Sequence, residues 1–155
     1  MVDEVRRHYD DGCFACGRDN PMGLHLDDFS LSDGRVGARF VPRPEYRGAG
    51  TTLHGGVAAT ALDEILVWAG ILSENVLTVT GSLNLRYRRP VHVDEEISVS
   101  ASVDARSGRR LQISGELAVG QETRVEGSGL YLVSASVAEL LAGHADGADA
   151  EARHR

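Results

Sequence analysis

The chain has little with which to build a crosslinked or metal-rich protein. Among 155 residues there are only two cysteines and four prolines. The cysteines stand together as Cys13-x-x-Cys16, with no second pair elsewhere. Structural zinc wants four well-spaced ligands. His8 and His25 lie nearest, and their spacing matches no standard pattern. A thioredoxin-like redox role needs a βαβ context that the surrounding residues lack. The expectation is a compact loop without metal, both thiols reduced. Positive charge is also scarce. Sixteen basic residues face twenty-three acidic ones, a formal charge of −7. That disfavours a general role on nucleic acid or on an anionic membrane. No apolar run approaches the length of a membrane span. The first twelve residues lack the apolar segment of a signal peptide, which predicts a cytoplasmic protein. No internal repeat is visible.

What the chain does have is one long apolar stretch, residues 54–72. From Val57 to Leu72 the strongly polar side chains are Thr60, Asp63 and Glu64 alone. Apolar residues recur at Val57, Ala61, Ile65, Trp68 and Leu72, with Ala58, Leu62, Leu66 and Ala69 beside them. That spacing predicts a helix apolar nearly all round, hence buried. Asp63 then lies where water should hardly reach. Such a carboxylate is paired, protonated or functional. His54-Gly55-Gly56 opens the helix. Glycines there let a ligand approach the backbone, and the first N–H groups, unpartnered within the helix, suit an oxyanion. Gly56 and Asp63 are separated by roughly 10 Å of helical rise. Two facing helices from two subunits would bring donor and acid together, which predicts a two-fold dimer.

Along the chain, residues 1–12 form a polar N-terminal segment, irregular or briefly helical. Asn20-Pro21 and Gly17 and Gly23 mark turns. Strands are predicted over 25–32 and 36–41, separated by a turn at Ser32-Asp33-Gly34. After the helix the period changes to two. Strands are predicted over 76–89, 96–105, 110–119 and 123–133, the last three joined by tight turns at Ser107-Gly108 and Gly120-Gln121. A short helix is expected over 136–142. Residues 135–155 read as a flexible tail, with His144 and His154 solvated and no apolar anchor beyond 144, so that deleting 145–155 should change nothing. One buried helix needs a wrapper, and a strongly curved antiparallel sheet is the simplest. The fold class is α+β.

This order of elements, with His54-Gly55-Gly56 opening the helix and Asp63 nine residues after the histidine, resembles the hotdog fold. It is similar to acyl-CoA thioesterases of the 4-hydroxybenzoyl-CoA and phenylacetyl-CoA thioesterase superfamily. Cys13-Phe14-x-Cys16-Gly17-x-x-Asn20-Pro21-x-Gly23-Leu24 is similar to the N-terminal segment of one branch. Asn84-Leu85-x-Tyr87-x-Arg89-Pro90 is similar to its long strand. The resemblance covers residues 13–134. It implies that Gly55 and Gly56 polarise a thioester carbonyl through their N–H groups. It implies that Asp63 activates water or attacks the carbonyl, and that Thr80 helps position the water. His54 would order the mouth of the site. Glu64, turned 100° away, is expected to be secondary.

Arg86, Arg88 and Arg89 suit bidentate contact with coenzyme A phosphates, or form an ordinary solvated face. Asn20 either caps a turn or reaches into the site. Trp68, Leu72 and Phe40 line an acyl pocket or belong to the core. No cofactor is expected beyond the coenzyme A of the substrate. The partners expected are an acyl-CoA and a second copy of the chain, with a dimer of dimers left open. Two other functions stay open: a non-catalytic acyl-CoA-binding module, and a hotdog hydratase or dehydratase.

Overall fold

The computed structural model describes residues 1–8 and 11–142. The expected tail deletion, His144, His154 and the side chain of His8 lie outside the described residues.

The elements follow the hydrophobic periods. A short helix α1 (Val2–His8) precedes strands β1 (Asp27–Ser32) and β2 (Arg35–Phe40). A single 3-10 turn at Pro44–Tyr46 leads to α2 (Gly55–Glu74), the one long helix. Then come β3 (Val76–Tyr87), β4 (Ile97–Ser107), β5 (Arg110–Val119) and β6 (Glu122–Ser136). A helical turn covers 137–142. The β1–β2 turn is tight because Asp33 and Gly34 both adopt positive φ, 51° and 74°.

All six strands form one antiparallel sheet in the order β1-β2-β4-β5-β6-β3. It curves around α2 as the apolar length of that helix requires. Ala61, Leu62, Ile65, Leu66, Trp68, Ala69 and Ile71 are all buried against it. On β6 the alternation Val125, Gly127, Gly129, Tyr131 faces the helix, and all four are buried. Glycine at 127 lets the helix come close, since a Cβ there would meet Leu85 at 3.1 Å and Leu62 at 3.5 Å. One sequence expectation is corrected here. By length and composition alone α2 is long and apolar enough to cross a membrane. Most of it is buried inside the sheet instead, as the core helix of a folded domain is.

β3 lies at the end of the sheet, paired on one side only, with β6. Its middle, Val79 to Ser82, is exposed, and Val79 is 56 % accessible. An open, apolar edge of this kind invites pairing with another chain.

α1 is not a loose lead. Val5 is fully buried, and Arg6 is only 3 % exposed. Arg6 donates to Asp27 Oδ1 (2.7 Å), to the carbonyl of Cys16 (3.0 Å) and to the carbonyl of Leu26. Its guanidinium also sits over Phe29, 5.1 Å from the ring centroid. Arg6→Ala strands two buried carbonyls, and we expect it to lower unfolding free energy by about 3 kcal/mol in urea titration. An unchanged midpoint would place α1 outside the cooperative unit.

Candidate active site

The entry to α2 is held in place before the site is built. Leu53 N–H donates to Val91 O (2.7 Å), and His54 N–H donates to Tyr46 O (2.9 Å). His54 itself is the N-cap, with extended backbone at φ −61°, ψ 133°. Its Nδ1 accepts from Gly56 N–H at 3.0 Å. This fixes the proton on Nε2 and satisfies one orphan donor of the helix start. It also changes the expected role of Gly56: its N–H is engaged by the ring, not open. Gly55 N–H makes no hydrogen bond among the described residues. Gly55 is therefore the open donor. On the other side of that peptide, Tyr87 OH donates to Gly55 O at 2.6 Å and ties the end of β3 to the helix.

Beside this donor opens a hollow of about 250 Å³. Gly55, Ala58, Tyr87, Arg88, Arg89 and Val125 are among its walls. Its lining joins the apolar Leu53, Ala58, Val91 and Val125 to the two arginines.

Asp63 lies two turns further along. Its Oδ1 accepts from Thr80 Oγ1 at 2.9 Å and from Tyr131 OH at 2.8 Å. Thr80 and Tyr131 are direct cross-strand partners on β3 and β6. The register irregularity between Thr80 and Ser82 falls beside this pair. The second oxygen, Oδ2, accepts no hydrogen bond among the described residues. One oxygen is thus clamped and the other is free. Burial, and then the charge of Asp63, hold the Tyr131 phenol well above its usual range, so it stays a donor. Asp63 itself is half-buried in the single chain, less sealed than its helix position predicts.

Tyr131 is the residue the sequence did not reveal. Its alternation with Val125, Gly127 and Gly129 places it on the helix-facing side of β6, the one signal that was there to read. That it meets Asp63, 68 residues away, depends on sheet register. We expect Tyr131→Phe to lower kcat roughly tenfold with KM little changed, because it releases the carboxylate without touching the substrate. A change in KM alone would argue for a pocket-lining role instead.

The other expected residues divide. Trp68 is fully buried, stacked on Phe29 with centroids 4.3 Å apart. It is a core residue, as are Phe40 and Leu72. Asn20 spends its amide locally, accepting from Met22 N–H (3.0 Å) and donating to Gly12 O (3.0 Å). It shapes the turn through these two bonds. Arg88 pairs with Glu126 (2.7 Å) and Arg89 with Glu122 (2.8 Å), both at the surface. Such pairs are solvent-screened and exchange readily for a phosphate. Arg86 faces the other side of the sheet. It lines a larger hollow, about 440 Å³, with Asn84, Glu116 and Glu126. That hollow is bigger but contains neither the acid nor the open N–H.

Glu64 turns away from Asp63, as its position on the helix predicts. Its Oε1 accepts from Trp68 Nε1 (2.8 Å) and its Oε2 lies 3.9 Å from Cys13 Sγ. Burial, with the neighbouring Cys13, raises its pKa to about 7. His25 is occupied by the carbonyl of Asn20, 2.6 Å from Nε2.

A family model described as the thioesterase superfamily matches residues 50–126. A crystal structure of a thioesterase superfamily protein is similar with a TM-score of 0.73 at 25% identity, over 79% of this chain and 60% of that one. This chain thus spans about three fifths of the length of that protein. A conserved protein from Pseudomonas aeruginosa is similar at 27% identity and TM-score 0.65, over 71% of this chain and 89% of that one. A hypothetical thioesterase from Streptococcus pneumoniae, solved with coenzyme A, shares the fold at TM-score 0.65 and 14% identity, over 72% of this chain and 98% of that one. No curated protein matches the sequence.

Proposed function

We propose that this chain, whose residues 50–126 match the thioesterase superfamily model and whose hotdog fold is that of a solved thioesterase superfamily protein, hydrolyses an acyl-coenzyme A to the free acid and coenzyme A. The observation that carries this reading is the half-clamped Asp63. A carboxylate fixed through Oδ1 and bare at Oδ2 is poised to take a proton from water. The water oxygen adds to the thioester carbonyl. The resulting oxyanion is met by Gly55 N–H at the positive end of α2. The intermediate collapses by breaking the C–S bond, and the proton held on Asp63 goes to the departing thiolate. The same bare oxygen also suits direct attack on the carbonyl, through an anhydride that water then opens.

Donor and acid, eight residues apart on one helix, are separated by roughly 12 Å along its axis, too far for one carbonyl. The chain therefore works as a two-fold dimer, each site taking Gly55 from one subunit and Asp63 from the other. The exposed edge of β3 around Val79 and Thr80 supports that contact, since pairing there would cover both the edge and the half-buried acid. Arg88 and Arg89, at the rim of the Gly55 hollow, receive the anionic part of coenzyme A. A protein of like fold solved with coenzyme A supports that choice of thiol.

The test is thiol release from a panel of acyl-CoA esters, followed with a thiol-reactive dye. Hydrolysis of at least one ester is expected. Tight binding without release would favour the non-catalytic module. Loss of enoyl absorbance without thiol release would favour a hydratase.

A further inference from the structure

Cys13, Cys16 and Glu64 converge away from the site just described. One ligand atom from each, two sulfurs and a carboxylate oxygen, lies within 4.8 Å of the others. We infer that these three side chains form a metal site for a thiophilic divalent cation such as zinc, which pins the N-terminal loop to α2. This departs from the expectation of no metal, for a reason of distance. The third donor comes from the long helix, 51 residues after Cys13, so no local spacing announces it.

The donor set fits the cation. Tetrahedral zinc takes thiolate at about 2.3 Å and carboxylate at about 2.0 Å, which spaces neighbouring ligand atoms by roughly 3.5–3.8 Å. Cys13 Sγ and Glu64 Oε2 are already 3.9 Å apart. Thiolate with carboxylate selects zinc over magnesium or calcium, which prefer all-oxygen shells.

The loop is built to hold both sulfurs. Gly17 follows the second cysteine, and a Cβ there would fall 2.2 Å from Asp11 O and 2.4 Å from Cys13 N, so only glycine closes this turn. Gly17 N–H donates to Cys13 O at 2.9 Å. Arg6 fixes the carbonyl of Cys16 from behind. Glu64 is oriented by Trp68 Nε1 on its other oxygen, the kind of outer-shell partner that fixes a metal ligand. No arginine pairs with Glu64 among the described residues. A buried acid without a cationic neighbour, facing two thiols, is what a cation would neutralise. Cys13 is only partly buried, which leaves an entry path for the ion.

The experiment uses the full chain, reduced and metal-free, titrated with zinc and separately with cobalt. One zinc per chain is expected. Cobalt should show the intense sulfur-to-metal charge-transfer bands of thiolate ligation. Zinc at a hundred times its Kd should raise Tm by roughly 5–10 °C. C16S and E64Q should each weaken binding by more than the roughly 10- to 100-fold that loss of an outer-shell partner costs. H144A/H154A, which removes two other possible ligands, should bind as the unchanged chain does. E64Q preserves shape, so its folding can be confirmed by circular dichroism. No uptake by the fully reduced chain overturns the inference. So does binding that survives E64Q unchanged, or binding that is lost in H144A/H154A alone.

Discussion

Asp63→Asn leaves the fold intact and lowers kcat by roughly 10²- to 10⁴-fold, the range a positioned general base contributes. The substitution keeps an oxygen that can accept from Thr80 and from Tyr131, so the clamp that orients this side chain persists. What it removes is the negative charge and the basicity of the free oxygen. The measurement is single-turnover thiol release by purified protein, with circular dichroism and a thermal melt beside it. KM should change little, because Asp63 is placed for the water and not for the coenzyme. Turnover close to that of the unchanged protein would remove Asp63 from the chemistry. A collapsed melt would show that the charge was needed for folding, and the shape-preserving Tyr131→Phe would then carry the test.

The second large effect is expected at Gly55, and it isolates one backbone N–H. Proline is tolerated at the first position of a helix, where the N–H has no helical partner. The residue before a proline must be extended, and His54 already is, at φ −61° and ψ 133°. A Cβ at position 55 would meet the Tyr87 ring at 3.5–3.6 Å, an ordinary contact. Gly55→Pro should therefore fold and lose only the open donor. Removing one oxyanion donor costs roughly 10²- to 10³-fold in kcat. Gly55→Ala keeps the N–H and should stay within a few-fold of the unchanged protein, which separates the donor from the shape of the turn. Position 56 is the poorer choice. Its N–H is engaged by His54, and a Cβ there would press on that ring at 3.1 Å.

The two variants also test where the halves of the site come from. Subunits carrying Asp63→Asn mixed with subunits carrying Gly55→Pro should regain activity, near half the normal value per mixed dimer. One site of that dimer has both defects and the other has neither. If the subunits demonstrably exchange and nothing returns, donor and acid belong to one chain, and the roughly 12 Å helical rise was the wrong measure.

The amino-acid sequence by itself determined the architecture. Apolar residues all round 57–72 demand a wrapper, and period-two runs after residue 75 supply one, so the curved sheet around α2 follows from burial alone. It also determined the acid and the glycine entry, because a carboxylate in an apolar helix and paired glycines at its start are both local facts. Strand ends moved by one to three residues, as at Tyr87 and Ser136, where pairing with β6 and β3 decides how far the ladder runs. Three things only the tertiary structure decided. Trp68 became core and not pocket, because its face of α2 meets Phe29 on β1. Tyr131 became the partner of Asp63, because sheet register sets it opposite Thr80. Glu64 joined the two cysteines, because the loop at Cys13 closes back over the helix. The physical reason is common to all three. Period and propensity are carried by neighbours in the chain, whereas which side chains meet across tens of residues is set by register and closure. Those are properties of the whole sheet and of no segment within it.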